Sequence, residues 1–63
     1  MPYKIKNARL SRNMTQDELA EKSGVSRATI SGLENGSAKD TTIGTLKKLA
    51  AALGVTVGEI FFP

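Results

Sequence analysis

The chain has 63 residues, with nine Lys and Arg against six Asp and Glu, a net charge of +3 and a pI of about 9.6. It has no Cys and no His, which excludes disulfides, thiolate or imidazole zinc sites and any histidine acid–base group or pH switch. The length predicts a single domain over residues 1–63. A chain this short buries only about 60% of its unfolded surface, so tight helical packing or self-association must stabilise it.

Glycines and capping residues divide the chain into short helices, and no segment alternates at period two, so no sheet is expected. The first helix is predicted over Tyr3 to Arg12. Pro2 suits its start, Ile5, Ala8 and Arg9 face inward with Leu10 following, and Asn13 stops it. Thr15, Gln16, Asp17 and Glu18 spell a capping box for the second helix: Thr15 caps the backbone while Glu18 reaches back, and both acids suit the positive end of the helix dipole. This helix turns Leu19 and Ala20 inward and ends at Ser23-Gly24. Ser26 caps a third helix, Arg27 to Glu34, whose buried stripe is Ile30 and Leu33, and Asn35-Gly36 ends it. Thr42 caps a fourth, with Ile43, Leu46, Leu49, Ala50 and Leu53 on one face and Gly54 beyond. Thr56-x-x-Glu59 is a second capping box, opening a short fifth helix that carries Ile60 and Phe61.

Catalysis finds no support in this pattern. The acids sit at helix starts or on solvated faces, and no nucleophile–base pair, Gly-rich phosphate loop or metal cluster accompanies them. The hydrophobic fraction of 40% suits a packed core. The longest apolar run, Leu49 to Leu53, is far short of the ~20 residues that span a membrane, and the N-terminus lacks a signal peptide's apolar stretch. A cytoplasmic protein is expected, without cofactor or metal and with no room in its core for a sizeable small-molecule ligand. The mildly basic balance suits a polyanion without identifying one.

The stretch from Gln16 to Asn35 carries the functional signal. Only Gly24 and Val25 separate the two helical patterns, so the helices pack at a steep angle. Ala20 keeps them close, Gly24 supplies the positive φ of the turn, Val25 plugs the elbow, and Leu19, Ile30 and Leu33 fix the pair to the core. A generic helical hairpin in a bundle is the alternative, but the six positions at fixed spacing favour a helix-turn-helix whose second helix enters the DNA major groove.

The segment from Thr15 to Ala20, the stretch Val25-Ser26-Arg27-Ala28-Thr29-Ile30-Ser31-Gly32-Leu33-Glu34-Asn35-Gly36, and Leu46 to Val55 together resemble the phage repressor and Cro group of helix-turn-helix domains (XRE-like), over about Ile5 to Phe61. The resemblance implies an all-α, lambda repressor-like DNA-binding domain: a compact bundle of five short helices that binds double-stranded operator DNA as a homodimer. It implies that Gln16 grips a phosphate, that Asn35, Ser37 and Lys39 touch phosphates in the loop after the recognition helix, and that Arg9 and Glu34 pair across the first and third helices. Thr15 belongs to the same phosphate-facing end, more as a cap than a contact. Gly32 departs from the group's pattern, which often has a polar side chain there. Either a neighbour comes too close for a Cβ or the position tolerates Gly, and one reader slot is left empty.

By position, Ser26, Arg27, Ala28 and Ser31 face the groove. Arg27 is the strongest base reader, able to hold guanine O6 and N7 bidentately for about 1–3 kcal/mol of discrimination, with a phosphate contact or a solvated surface role as alternatives. Ala28 either touches a thymine methyl or is simply a good helix former, and Ser31 reaches a base edge or a phosphate. Lys6 and Arg12 read as solvated charges, with a DNA contact as the alternative. Phe61 and Phe62 crowd the last positions, so Val57, Phe61 and Phe62 with Ile43 are expected to form a two-fold contact, placing two half-sites roughly 34 Å apart. Alternatively, Ile60 and Phe61 close the monomer core and Phe62 frays. The mechanism expected is a dimeric repressor occluding a promoter. The rival is an antitoxin-like or other protein-interaction module on the same fold; such a module usually carries an extra partner-binding segment, whereas this chain ends at Pro63. An excised DNA-binding half of a longer regulator is a further reading.

Overall fold

A computed structural model describes residues 3–37 and 41–61, and within them the chain forms five α-helices: α1 (Ile5–Ser11), α2 (Gln16–Ser23), α3 (Arg27–Asn35), α4 (Ile43–Leu53) and α5 (Val57–Ile60). Four of the five begin in the same way. Thr15, Ser26, Thr42 and Thr56 sit in extended backbone and each accepts the N–H of the residue three positions on, and Thr15–Glu18 and Thr56–Glu59 complete reciprocal capping boxes. α1 has no side-chain cap; it starts two residues later than the sequence predicts, at Ile5. Pro2, expected at its start, lies outside the described residues. Asn13, at φ +53°, turns the chain after α1, and Gly24, Gly36 and Gly54 close the next three helices in the left-handed region.

The helices bury one core. Ile5, Leu19, Ile30, Leu33, Leu49, Leu53 and Ile60 are all but inaccessible, joined by Tyr3, Val25, Leu46 and Ala50. α2 packs on α3 and α4, α1 bridges α3 and α4, and α5 folds back on α4. Ala20 packs against the edge of this core, and Val25 is buried at the elbow as expected.

Three positions differ from the sequence reading. Leu10 is 52% exposed, because Arg9 rather than Leu10 takes the inward side of the last turn of α1. Ile43 is 60% exposed: it is the first residue of α4 and stands clear of the buried stripe formed by Leu46, Leu49, Ala50 and Leu53. Phe61 follows α5 instead of riding on it. Its ring lies 5.6 Å from that of Tyr3, across an isolated antiparallel bridge, and the Lys4 N–H donates to the Ile60 carbonyl at 2.7 Å. The two ends of the domain are thus stitched together, Tyr3 buried beneath and Phe61 half-exposed above. No helix of the described residues is long and apolar enough to cross a membrane.

Candidate nucleic-acid interface

α3 is amphipathic. Its apolar side holds Ile30 and Leu33 in the core; at about 100° per residue Ala28 falls opposite that side, Ser31 turns away from it and Arg27 lies on its flank, about 60° from Ile30. Ser26, Arg27 and Ala28, at the start of the helix, are exposed, and Ser31, one turn on, is half-exposed. Gly32 is buried, which places it against the protein rather than in an open reader slot. Ser26 is also the cap of α3: its hydroxyl accepts the Thr29 N–H at 3.2 Å and donates to Thr29 Oγ1 at 2.9 Å.

The first turn of α2 borders the same surface. Thr15 is engaged in its capping box, with Glu18 N–H donating to its hydroxyl at 3.0 Å and its own N–H donating to Glu18 Oε1 at 2.8 Å. These bonds hold the Glu18 carboxyl below the usual carboxylate range. The N–H groups that open α2 have no preceding turn to donate to, and they point where an anion is favoured. At the far end of α3, Asn35 Oδ1 accepts the Ser37 N–H at 2.9 Å, a side-chain turn that shapes the exit loop. Lys39, expected to touch phosphate in that loop, lies outside the described residues.

Arg9 and Glu34 tie this surface to the scaffold. Arg9 Nε and Nη2 donate to Glu34 Oε2 and Oε1 at 2.8 and 2.9 Å, a bidentate fork, and Nη1 donates to the Met14 carbonyl at 2.8 Å. Both side chains are buried, 9% and 4% exposed. Burial pushes the Glu34 carboxyl up, but hydrogen bonds from Arg9 and Gln16 and the charges of Arg9 and Lys6 outweigh it, so the group sits below the usual carboxylate range. The hydrogen bond to Glu34 raises Arg9 further, so both stay charged.

The network continues to the surface. Gln16 Nε2 donates to Glu34 Oε1 at 3.0 Å, Arg27 Nε donates to Gln16 Oε1 at 3.4 Å, and Arg27 Nη1 lies 3.3 Å from Asp17 Oδ1. The sequence presents Gln16 only as a phosphate-gripping residue and Asp17 only as a helix-start acid. The fold makes them neighbours of Arg27, ten and eleven residues away across the turn. Beside them an open cleft of about 420 Å³ separates the end of α1 from the starts of α2 and α3, with the exposed Leu10 and the half-buried Met14 on its walls.

Ile43 and Phe61 are exposed and Val57 is half-buried, while Phe62 lies outside the described residues. Ile60, at 1% exposed, closes the core of the single chain.

Comparison with known proteins finds the same architecture. A family model described as helix-turn-helix matches residues 5–60. An uncharacterized HTH-type transcriptional regulator of Methanocaldococcus jannaschii is 41% identical over 61 residues, covering 97% of this chain and 91% of that protein. The uncharacterized HTH-type transcriptional regulator RghRB of Bacillus subtilis is 45% identical over 51 residues, 81% of this chain but 37% of the longer relative. A solved chain of the SinR protein/SinI protein complex superposes with a TM-score of 0.83 at 34% identity, over 87% of this chain and 53% of that one.

Proposed function

The chain belongs to the helix-turn-helix family of DNA-binding transcriptional regulators, which are not enzymes, and from that premise we propose that it is a dimeric repressor that binds a two-fold symmetric operator in the cytoplasm and occludes a promoter. One observation carries the reading: Ser26, Arg27 and Ala28 are exposed, and Ser31 half-exposed, at and beyond the start of a helix that Ile30 and Leu33 anchor in the core, which supports a rigidly held base-reading surface. Arg27 takes a guanine. Gln16 and the first turn of α2 grip the phosphate backbone beside it, and Thr15, Asn35, Ser37 and Lys39 extend that backbone contact. Ile43, Val57 and Phe61, with Phe62, supply the two-fold contact that spaces the half-sites.

The test is selection from a random duplex pool at two salt concentrations, followed by sequencing. The proposal expects a two-fold symmetric site, a steep fall in affinity with salt, and loss of one guanine preference per half-site in Arg27→Ala. Sequence-blind, weak binding overturns it. That result favours a protein partner, a reading supported by the solved relative's presence in a two-protein complex and by the exposed Ile43 and Phe61.

A further inference from the structure

We propose that Asp17 is a specificity-determining residue: its carboxylate, 3.3 Å from Arg27 Nη1, holds the guanidinium in a guanine-reading pose and penalises its diversion to phosphate. The inference rests on Arg27 reading a base and deepens that reading.

Both side chains of this pair are largely exposed, 62% for Arg27 and 73% for Asp17. An ion pair so solvated adds little to folding stability. Its effect therefore falls on where Arg27 points. A surface Arg has several rotatable bonds, and binding must freeze them. Here α2 restrains the head group from two sides, through Gln16 Oε1 at Nε and Asp17 Oδ1 at Nη1. Gln16 is itself fixed by Glu34, which Arg9 fixes in turn, so the restraint reaches back to a buried ion pair.

The negative charge also discriminates. Guanidinium has five N–H donors in a planar fork. Guanine presents two adjacent acceptors, O6 and N7, in the major groove, so Arg27 can bind it and keep its α2 partners. Swinging to a phosphate means leaving Asp17, and the carboxylate is then unpaired beside a polyanion. The pair thus disfavours sequence-blind binding while leaving the guanine complex intact.

The experiment uses the 63-residue chain in four forms: native, Asp17→Asn, Arg27→Ala and the double variant Asp17→Asn/Arg27→Ala. Each is measured on the selected duplex, on the same duplex with the Arg27-read pair replaced, and on an unrelated duplex. Asp17→Asn retains the Thr15–Glu18 capping box, and a thermal melt reports any change in folding. The expected result is a three- to ten-fold loss of discrimination at that one base pair, an estimate of about the size of one freed side chain. Binding to unrelated DNA tightens, and the salt slope steepens by about 0.9 as Arg27 becomes free to neutralise a phosphate. A merely structural role for Asp17 would weaken all three duplexes alike and lower the melting temperature. If Arg27→Ala erases the preference and Asp17→Asn leaves it intact, the inference is wrong and Arg27 reads unaided. If Arg27→Ala leaves the preference unchanged, the base-reading role itself falls, and this inference with it. A further loss on adding Asp17→Asn to Arg27→Ala also overturns it, by placing the action of Asp17 elsewhere.

Discussion

Separating Arg9 from Glu34 should be the most damaging polar change in this domain. Both side chains are nearly inaccessible, and the guanidinium makes three short hydrogen bonds, two to Glu34 and one to the Met14 carbonyl. Arg9→Met leaves the carboxylate with Gln16 as its hydrogen-bond donor, and Glu34→Leu leaves the guanidinium with the Met14 carbonyl. Each strands a buried charge, which costs about 3–5 kcal/mol. A chain of 63 residues has about 3–9 kcal/mol in all, so either change removes a third of the stability or more. The double variant Arg9→Met/Glu34→Leu strands no charge. It forfeits only the Met14 and Gln16 partners, about 1–3 kcal/mol, and should be more stable than either single variant. Urea unfolding followed by circular dichroism at pH 7 measures all four proteins, and each 1 kcal/mol should move the thermal midpoint by about 4–8 °C. Single-variant losses below about 1 kcal/mol, or a double loss equal to the sum of the singles, would refute the claim that the pair is buried and coupled.

Acid should expose the same pair. The Glu34 carboxyl titrates below its ordinary value of 4.5, so its stabilisation is fully present above that pH and is lost as pH falls through the lower folded value. Glu18 contributes with the same sign. The stability gap between the native chain and Glu34→Gln should therefore narrow as pH falls below 4.5, and a gap that stays constant as pH falls would contradict it. At the helix-turn-helix elbow, Gly24 has φ +75° and no atom within 4 Å of where a Cβ would stand. Gly24→Ala should thus cost only the left-handed backbone penalty, about 1–2 kcal/mol, and Gly24→Asn less; a far larger loss in denaturant unfolding would reveal a steric clash instead.

The sequence by itself determined the five helices and most of their ends, though not the start of α1, which has no side-chain cap. Capping residues and left-handed glycines act within a few residues, so Thr15, Ser26, Thr42, Thr56, Gly24 and Gly54 mark their boundaries without reference to the rest of the chain. Apolar spacing likewise identified most of the core, because a helix's buried side has a fixed period. The pairing of Arg9 with Glu34 was legible only through family resemblance, since nothing local links residues 25 apart. Tertiary structure alone decided that Arg27 meets Asp17. It buried Tyr3 beneath Phe61 and left Ile43 and Leu10 in solvent, according to where each helix end lies relative to its neighbours. It also brought Gln16 and Asp17 to Arg27, because the angle between α2 and α3, set by close packing around Ala20 and Val25, determines which side chains share a surface.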